Sequence, residues 1–171
     1  VRSVRSSVAI AVFAVLLGGT ACTRQAEADN GTILISPDNP AVNTATSEAV
    51  KALPIFWAKF DAKEPGVSHY LIKVALHAKG GGDEIVWAEP LQRSRDDVTV
   101  RVANQPVLLA EPKLGDVIHV PPEDLGDWSY LKNGKLYGHF VTRAMMNRAK
   151  PEERALMEAN LAPTPLESDV H

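Results

Sequence analysis

Four acidic residues, Asp116, Glu123, Asp124 and Asp127, lie close together in the chain. Two carboxylates held in different environments can divide the roles of general acid and general base. The local sequence offers a plainer reading. Gly115-Asp116 suits a turn entering a strand, and Pro122-Glu123-Asp124 suits a helical turn that opens with acidic residues against its positive end. Histidines 69, 77, 119 and 139 are too dispersed for two on one strand to share an ion. Ser68, Ser94 and Ser129 have no base and orienting acid at a suggestive spacing. HExxH, paired CxxC, GxSxG and Walker patterns do not occur. The reading therefore assigns no catalytic residue, metal site or cofactor. Aromatic residues remain. Trp57 and Trp87 read as core. Trp128 and Tyr130, beside Asp127 and a turn, offer the amphipathic rings that recognition sites favour. Asp127, Trp128, Tyr130 and Arg143 form the candidate partner-binding surface, with Arg143 expected to pair with a carboxylate such as Asp127.

These residues must be positioned by elements that the periodicity reveals. Apolar or small residues at 45, 49, 50, 53, 56, 57 and 60 follow a helical stripe, with Thr44 or Thr46 as a cap and Pro54 expected to kink or divide the helix. From His69 the period becomes two: Tyr70, Ile72, Val74 and Leu76 share one face, His69, Lys73 and His77 the other. Strands follow at 84–91, 98–102 and 116–120. Asn133-Gly134 is a type I′ turn signal joining a strand at 128–132 to one at 135–142. Pro151, then Glu152 and Glu153, opens a terminal helix that fades near Asn160. The pattern predicts an α+β fold: an N-terminal and a C-terminal helix packed on a curved, largely antiparallel sheet of five or six strands. The gaps are too short for the crossovers of a parallel nucleotide-binding sheet.

The 171 residues carry a formal charge of −3, with 45% hydrophobic and 23% charged residues. Such a balance excludes disorder and collagen. The 18 basic residues are scattered, which argues against a nucleic-acid partner. The N-terminal segment reads as an address. Arg2 and Arg5 precede an apolar run from Val8 to Leu17, followed by Gly18, Gly19, Thr20 and Ala21. This is the three-part plan of a secretory signal, and the run is too short to span a membrane as a helix. The single cysteine, Cys22, follows the small residues as in a lipobox, where bacterial lipoproteins are cleaved and acylated, although Gly19 departs from the usual aliphatic residue. Ala26-Glu27-Ala28 offers ordinary signal peptidase a competing site. The expected layout is a signal peptide at 1–21, a tether at 22–41 with a short extended piece at 33–35, a domain at 42–161 and a flexible tail at 162–171.

Several segments together resemble a known family. They are Asn43-Thr44-Ala45 through Leu53-Pro54-Ile55-Phe56-Trp57, Tyr70-Leu71-Ile72-Lys73-Val74, Glu84-Ile85-Val86-Trp87 and Gly115-Asp116-Val117. Asp127-Trp128-Ser129-Tyr130 then closes on Gly134, Gly138, Thr142 and Arg143. The chain resembles the YegJ-like bacterial domain of unknown function over roughly 42–143. The resemblance implies boundaries and export but supplies no activity or catalytic residues. The leading expectation is an exported lipoprotein-like protein of the periplasm, anchored to a membrane only through lipid on Cys22, with a soluble periplasmic or secreted form as the alternative. It is expected to act as a non-enzymatic binding module for an envelope protein or cell-wall component. A small envelope hydrolase using converging carboxylates and a purely structural domain are the other readings.

Overall fold

A computed structural model describes residues 8–11, 32–35, 39–78 and 83–168. The long helix α1 (Pro40–Ala62) begins where Asn39 Oδ1 accepts the amides of Ala41 and Val42 at 3.1 and 3.4 Å. This N-cap, with Pro40 in the first turn, starts the helix ahead of the expected Thr44 or Thr46, both of which lie inside it. Its buried stripe is Ala45, Ala49, Ala52, Leu53, Phe56 and Trp57. Pro54 does not divide the helix. Pro54 and Val50, whose carbonyl loses its amide partner, both lie on the exposed side, where water can take that place. No helix among the described residues is long and apolar enough to cross a membrane.

The strands are β1 (Val8–Ala11), β2 (Thr32–Ile35), β3 (Val67–His77), β4 (Asp83–Arg93), β5 (Val98–Val102), β6 (Val117–Val120), β7 (Leu125–Lys132) and β8 (Lys135–Gly138). Six of them form an antiparallel sheet in the order β6-β5-β4-β3-β7-β8. One side of β4 is shared. Residues 88–93 pair with β5, whereas Glu84 and Ile85 pair in parallel with Ala9 and Ile10 of β1, which itself pairs antiparallel with β2. The α+β class and the antiparallel sheet agree with the periodicity, and β2 covers the extended piece expected near residue 33.

The helix-facing side of the sheet is built by alternation. Ile72, Val74, Val86, Val100, Trp128 and Tyr130 are all at most 1% exposed and join Phe56 and Trp57 in one core. Asn133 (φ 51°) and Gly134 (φ 73°) make the expected tight turn between β7 and β8. The chain then departs from the expected long strand. Gly138 (φ 75°) and His139 (φ 55°) both adopt left-handed conformations and redirect it into a short helix, α2 (Phe140–Met145), that packs on α1. A Cβ at Gly138 would lie 2.1 Å from the Trp128 carbonyl oxygen, so only glycine fits this corner. Helix α3 (Pro151–Asn160) has the expected bounds but contributes no buried residue.

The segment expected as a flexible tail is tied down over its described part, residues 162–168. Ala162 N–H donates to Leu136 O at 2.9 Å and Gly138 N–H to Pro165 O at 2.8 Å. Leu161 and Ala162 are buried.

Candidate functional site

The residues with the most chemistry meet where β7 passes the start of α2. Asp127 is 1% exposed, and its carboxylate accepts the amides of Trp128 (2.9 Å), Phe140 (2.9 Å) and Val141 (3.0 Å). Two of these are the orphan donors that open α2, so Asp127 closes that helix end from a different strand. Burial pushes its carboxyl upward, against the charge of Lys73 and the three amides. Lys73 is itself 3% exposed, with its ammonium group 4.9 Å from the centre of the Trp87 ring. Among the described residues its Nζ and the Ser129 Oγ are buried without a hydrogen-bond partner. Burial lowers the Lys73 pKa, and Asp127 opposes that shift. His139 packs its ring 5.2 Å from that of Trp87. Burial, then the charges of Lys73 and Arg143, push its pKa down to about 3, so it is neutral at physiological pH.

This geometry corrects the surface expected at Asp127, Trp128, Tyr130 and Arg143. Trp128 and Tyr130 are fully buried, because alternation along β7 turns both toward α1. Trp128 Nε1 donates to Ala49 O at 2.9 Å, and its ring stacks on Tyr130 at 5.7 Å. Arg143 does not pair with Asp127. Its guanidinium donates to four carbonyls, those of Gly138 and Ala162 at 2.8 Å, Leu136 at 3.3 Å and Thr164 at 3.4 Å. The amides of α2 already occupy the carboxylate, and Arg143 instead binds residues 162–164 to β8.

The Tyr130 hydroxyl donates to Glu167 at 2.8 Å. Burial pushes that phenol well above its usual value. Glu167 also receives Lys132 (2.6 Å) and Lys59 (2.7 Å), and both lysines bind Glu64 as well. Burial works against the Glu167 carboxylate, yet its bonds from Lys132, Lys59 and Tyr130 hold its pKa at about 2. The network fastens the C-terminal segment to β7 and α1.

The acidic residues 116, 123, 124 and 127 are not brought into one cleft. Asp116 accepts Lys113 N–H at 2.8 Å, Asp124 binds His77, Glu123 is exposed and Asp127 is enclosed. His77 is held between Asp83 (2.7 Å) and Asp124 (3.0 Å). Those hydrogen bonds, Asp83 first, raise its pKa to about 9. Both ring nitrogens are occupied, which leaves no lone pair to act as a base toward a substrate. Among the described residues no group of three or more His, Cys, Asp or Glu could hold a metal ion. A shallow cavity of about 450 Å³ beside Phe60, Tyr70 and Leu91 carries the Asp61–Arg93 ion pair, in which each charge neutralises the other. Cys22 lies outside the described residues.

Among the described residues the most exposed large apolar side chains lie on the excursion between β5 and β6 and at the first residue of β6. Val107, Leu108, Leu114 and Val117 are 55%, 57%, 57% and 52% exposed. The excursion is fastened from beneath. Glu84, 3% exposed, accepts the amides of Leu108 (2.9 Å) and Leu109 (3.0 Å) together with that of Val107. Asn104 Oδ1 accepts Trp87 N–H at 2.6 Å, and Gln105 Oε1 accepts Leu114 N–H at 3.3 Å. Sequence reasoning passed over Glu84 and Lys73. The amides that Glu84 gathers lie 23 to 25 residues downstream. Lys73 shared its expected strand face with His69 and His77, opposite the apolar residues.

Residues 39–162, which span the helix, the sheet and this excursion, match DUF2314, described as an uncharacterized protein conserved in bacteria. The chain belongs to the DUF2314 family. The chain is also 27% identical over 129 residues to a putative ankyrin repeat protein of Neisseria meningitidis serogroup B, covering 71% of this chain. The chain spans about half the length of that relative, at 51%. No solved structure matches it.

Proposed function

We propose that this DUF2314 domain is an exported, lipid-anchored interaction module of the bacterial envelope, binding a protein partner through the apolar excursion at 107–117 and doing no chemistry of its own. The observation that carries the reading is the exposure of Val107, Leu108 and Leu114 on the loop and of Val117 at the start of β6, with the loop backbone at 107–109 held by a buried carboxylate. A fixed apolar loop loses little conformational entropy on binding. The groups able to do acid–base chemistry support the same reading, because Asp127, the exposed His77 and Arg143 are each held by hydrogen bonds within the chain. The relative from N. meningitidis is named for ankyrin repeats, an architecture that builds extended binding surfaces, and this too favours recognition. Export and anchoring rest on the signal-like start and on Cys22, and the Asp127 to Arg143 spacing favours placing the chain with the YegJ-like members.

A photo-cross-linking residue at Leu108 tests the reading in intact bacteria, with the exposed Leu156 on α3 as the control position. The expected result is a discrete protein adduct from position 108 and none from 156. Equal or absent cross-linking at the two sites removes the proposal. Cys22→Ser is expected to abolish fatty-acid labelling and move the protein out of the membrane fraction.

A further inference from the structure

The shared side of β4 carries a second consequence of export. The main-chain N–H of Trp87 donates to Asn104 and its carbonyl accepts from Ala103 at 2.8 Å, so both groups point away from β3. Residues two apart along a strand aim their main-chain groups the same way. Asp83 and Ile85 therefore present theirs on that side too. β5 covers β4 only from residue 88 onward, and Trp87 is closed off by residues 103 and 104. This leaves a short length of edge ahead of Trp87, and β1 occupies it in parallel, with Ala9 opposite Glu84 and Ile10 opposite Ile85.

The strand that fills the edge is Val8-Ala9-Ile10-Ala11, part of the apolar run that the signal-like pattern marks for removal. Cleavage before Cys22 would strip β1 from β4 and leave the main-chain groups of Ile85 unpaired. A bare edge of this kind is a template for an added strand. The exposed Val107 and Leu108 adjoin it, because the Glu84 carboxylate beside Ile85 holds their amides. They supply apolar contact alongside the incoming main chain.

We infer that the β4 edge ahead of Trp87 is a strand-addition site, filled by Val8–Ala11 in the unprocessed chain and open after cleavage to an extended apolar segment of a partner protein running parallel to β4. The inference rests on the processing step in the function proposed above. It deepens that function by giving the partner a conformation and a direction.

The test uses the full chain expressed with its own N-terminal segment and recovered from the bacterial envelope, its processing read by mass. The probe is a synthetic peptide of residues 6–13 carrying two added lysines for solubility. In the processed protein the Ile85 amide should exchange quickly with solvent and slow at least tenfold when the peptide is added. N-methylation at Ala9 and Ala11, or separately at Val8 and Ile10, blocks alternate amides of the peptide. One of the two peptides should bind at least tenfold more weakly, and the other should bind like the parent. Loss of binding in both, or in neither, overturns strand addition, as does an Ile85 amide that the parent peptide leaves unprotected. If mass shows residues 1–21 retained, the processing step fails on its own account. In that chain the Ile85 amide should already be slow and should become fast in Ile10→Pro, and equal rates in the two overturn the site itself.

Discussion

Two buried carboxylates in this domain use one device for different ends. Asp127 gathers the amides of Trp128, Phe140 and Val141, and Glu84 gathers those of Val107, Leu108 and Leu109. Around Asp127 the three amide-bearing residues are themselves buried, so the carboxylate seals a helix end into the core. Around Glu84, two of the three bear side chains more than half exposed, so the carboxylate anchors a loop that faces outward. In either place three amides converge on one carboxylate. What differs is whether water can replace the charge.

Removing Asp127 should break the comparison most sharply. Asp127→Ala leaves buried amides that no solvent can reach and is expected to destabilise the fold by about 3–5 kcal/mol in urea denaturation. Glu84→Ala should cost less, about 1–2 kcal/mol, because water can reach the loop amides. Its signature is local: exchange at residues 107–109 should rise at least tenfold while the amides of Phe140 and Val141 stay slow. Equal losses of stability in the two variants would refute the distinction between sealing and presenting.

Glu167 offers the smallest and most pH-dependent contrast, since it is held by side-chain cations in place of amides. Its folded pKa of about 2 lies below the ordinary 4.5. The stabilisation is therefore fully present above pH 4.5 and fades as pH falls through 2. Glu167→Gln is expected to lower stability by about 1 kcal/mol at neutral pH. The gap from the parent protein should close as both are titrated to pH 2, as followed by melting temperature.

Much of the fold is legible because its signals are local. The stripe from Ala45 to Trp57, the alternation from Tyr70 to Leu76, the Asn133-Gly134 turn and Pro151 at the head of α3 each depend on neighbours within a few residues. The candidate site was harder to read, for an equally physical reason. Alternation separates Trp128 and Tyr130 from Asp127 and Ser129, but it does not reveal that both faces of β7 are covered. The strand expected at 135–142 also ran past Gly138 and His139, the two left-handed residues that end it.

The amino-acid sequence by itself determined the class of fold, the principal elements and the polar and apolar faces of the strands, because main-chain conformation and periodicity respond to near neighbours. Only the tertiary structure decided where each charge is spent. Arg143 binds four carbonyls, Asp127 closes a helix that begins 13 residues later, and Glu84 holds a loop more than 20 residues away. A buried charge is stable only where enough partners converge on it, and that convergence is set by how distant segments pack.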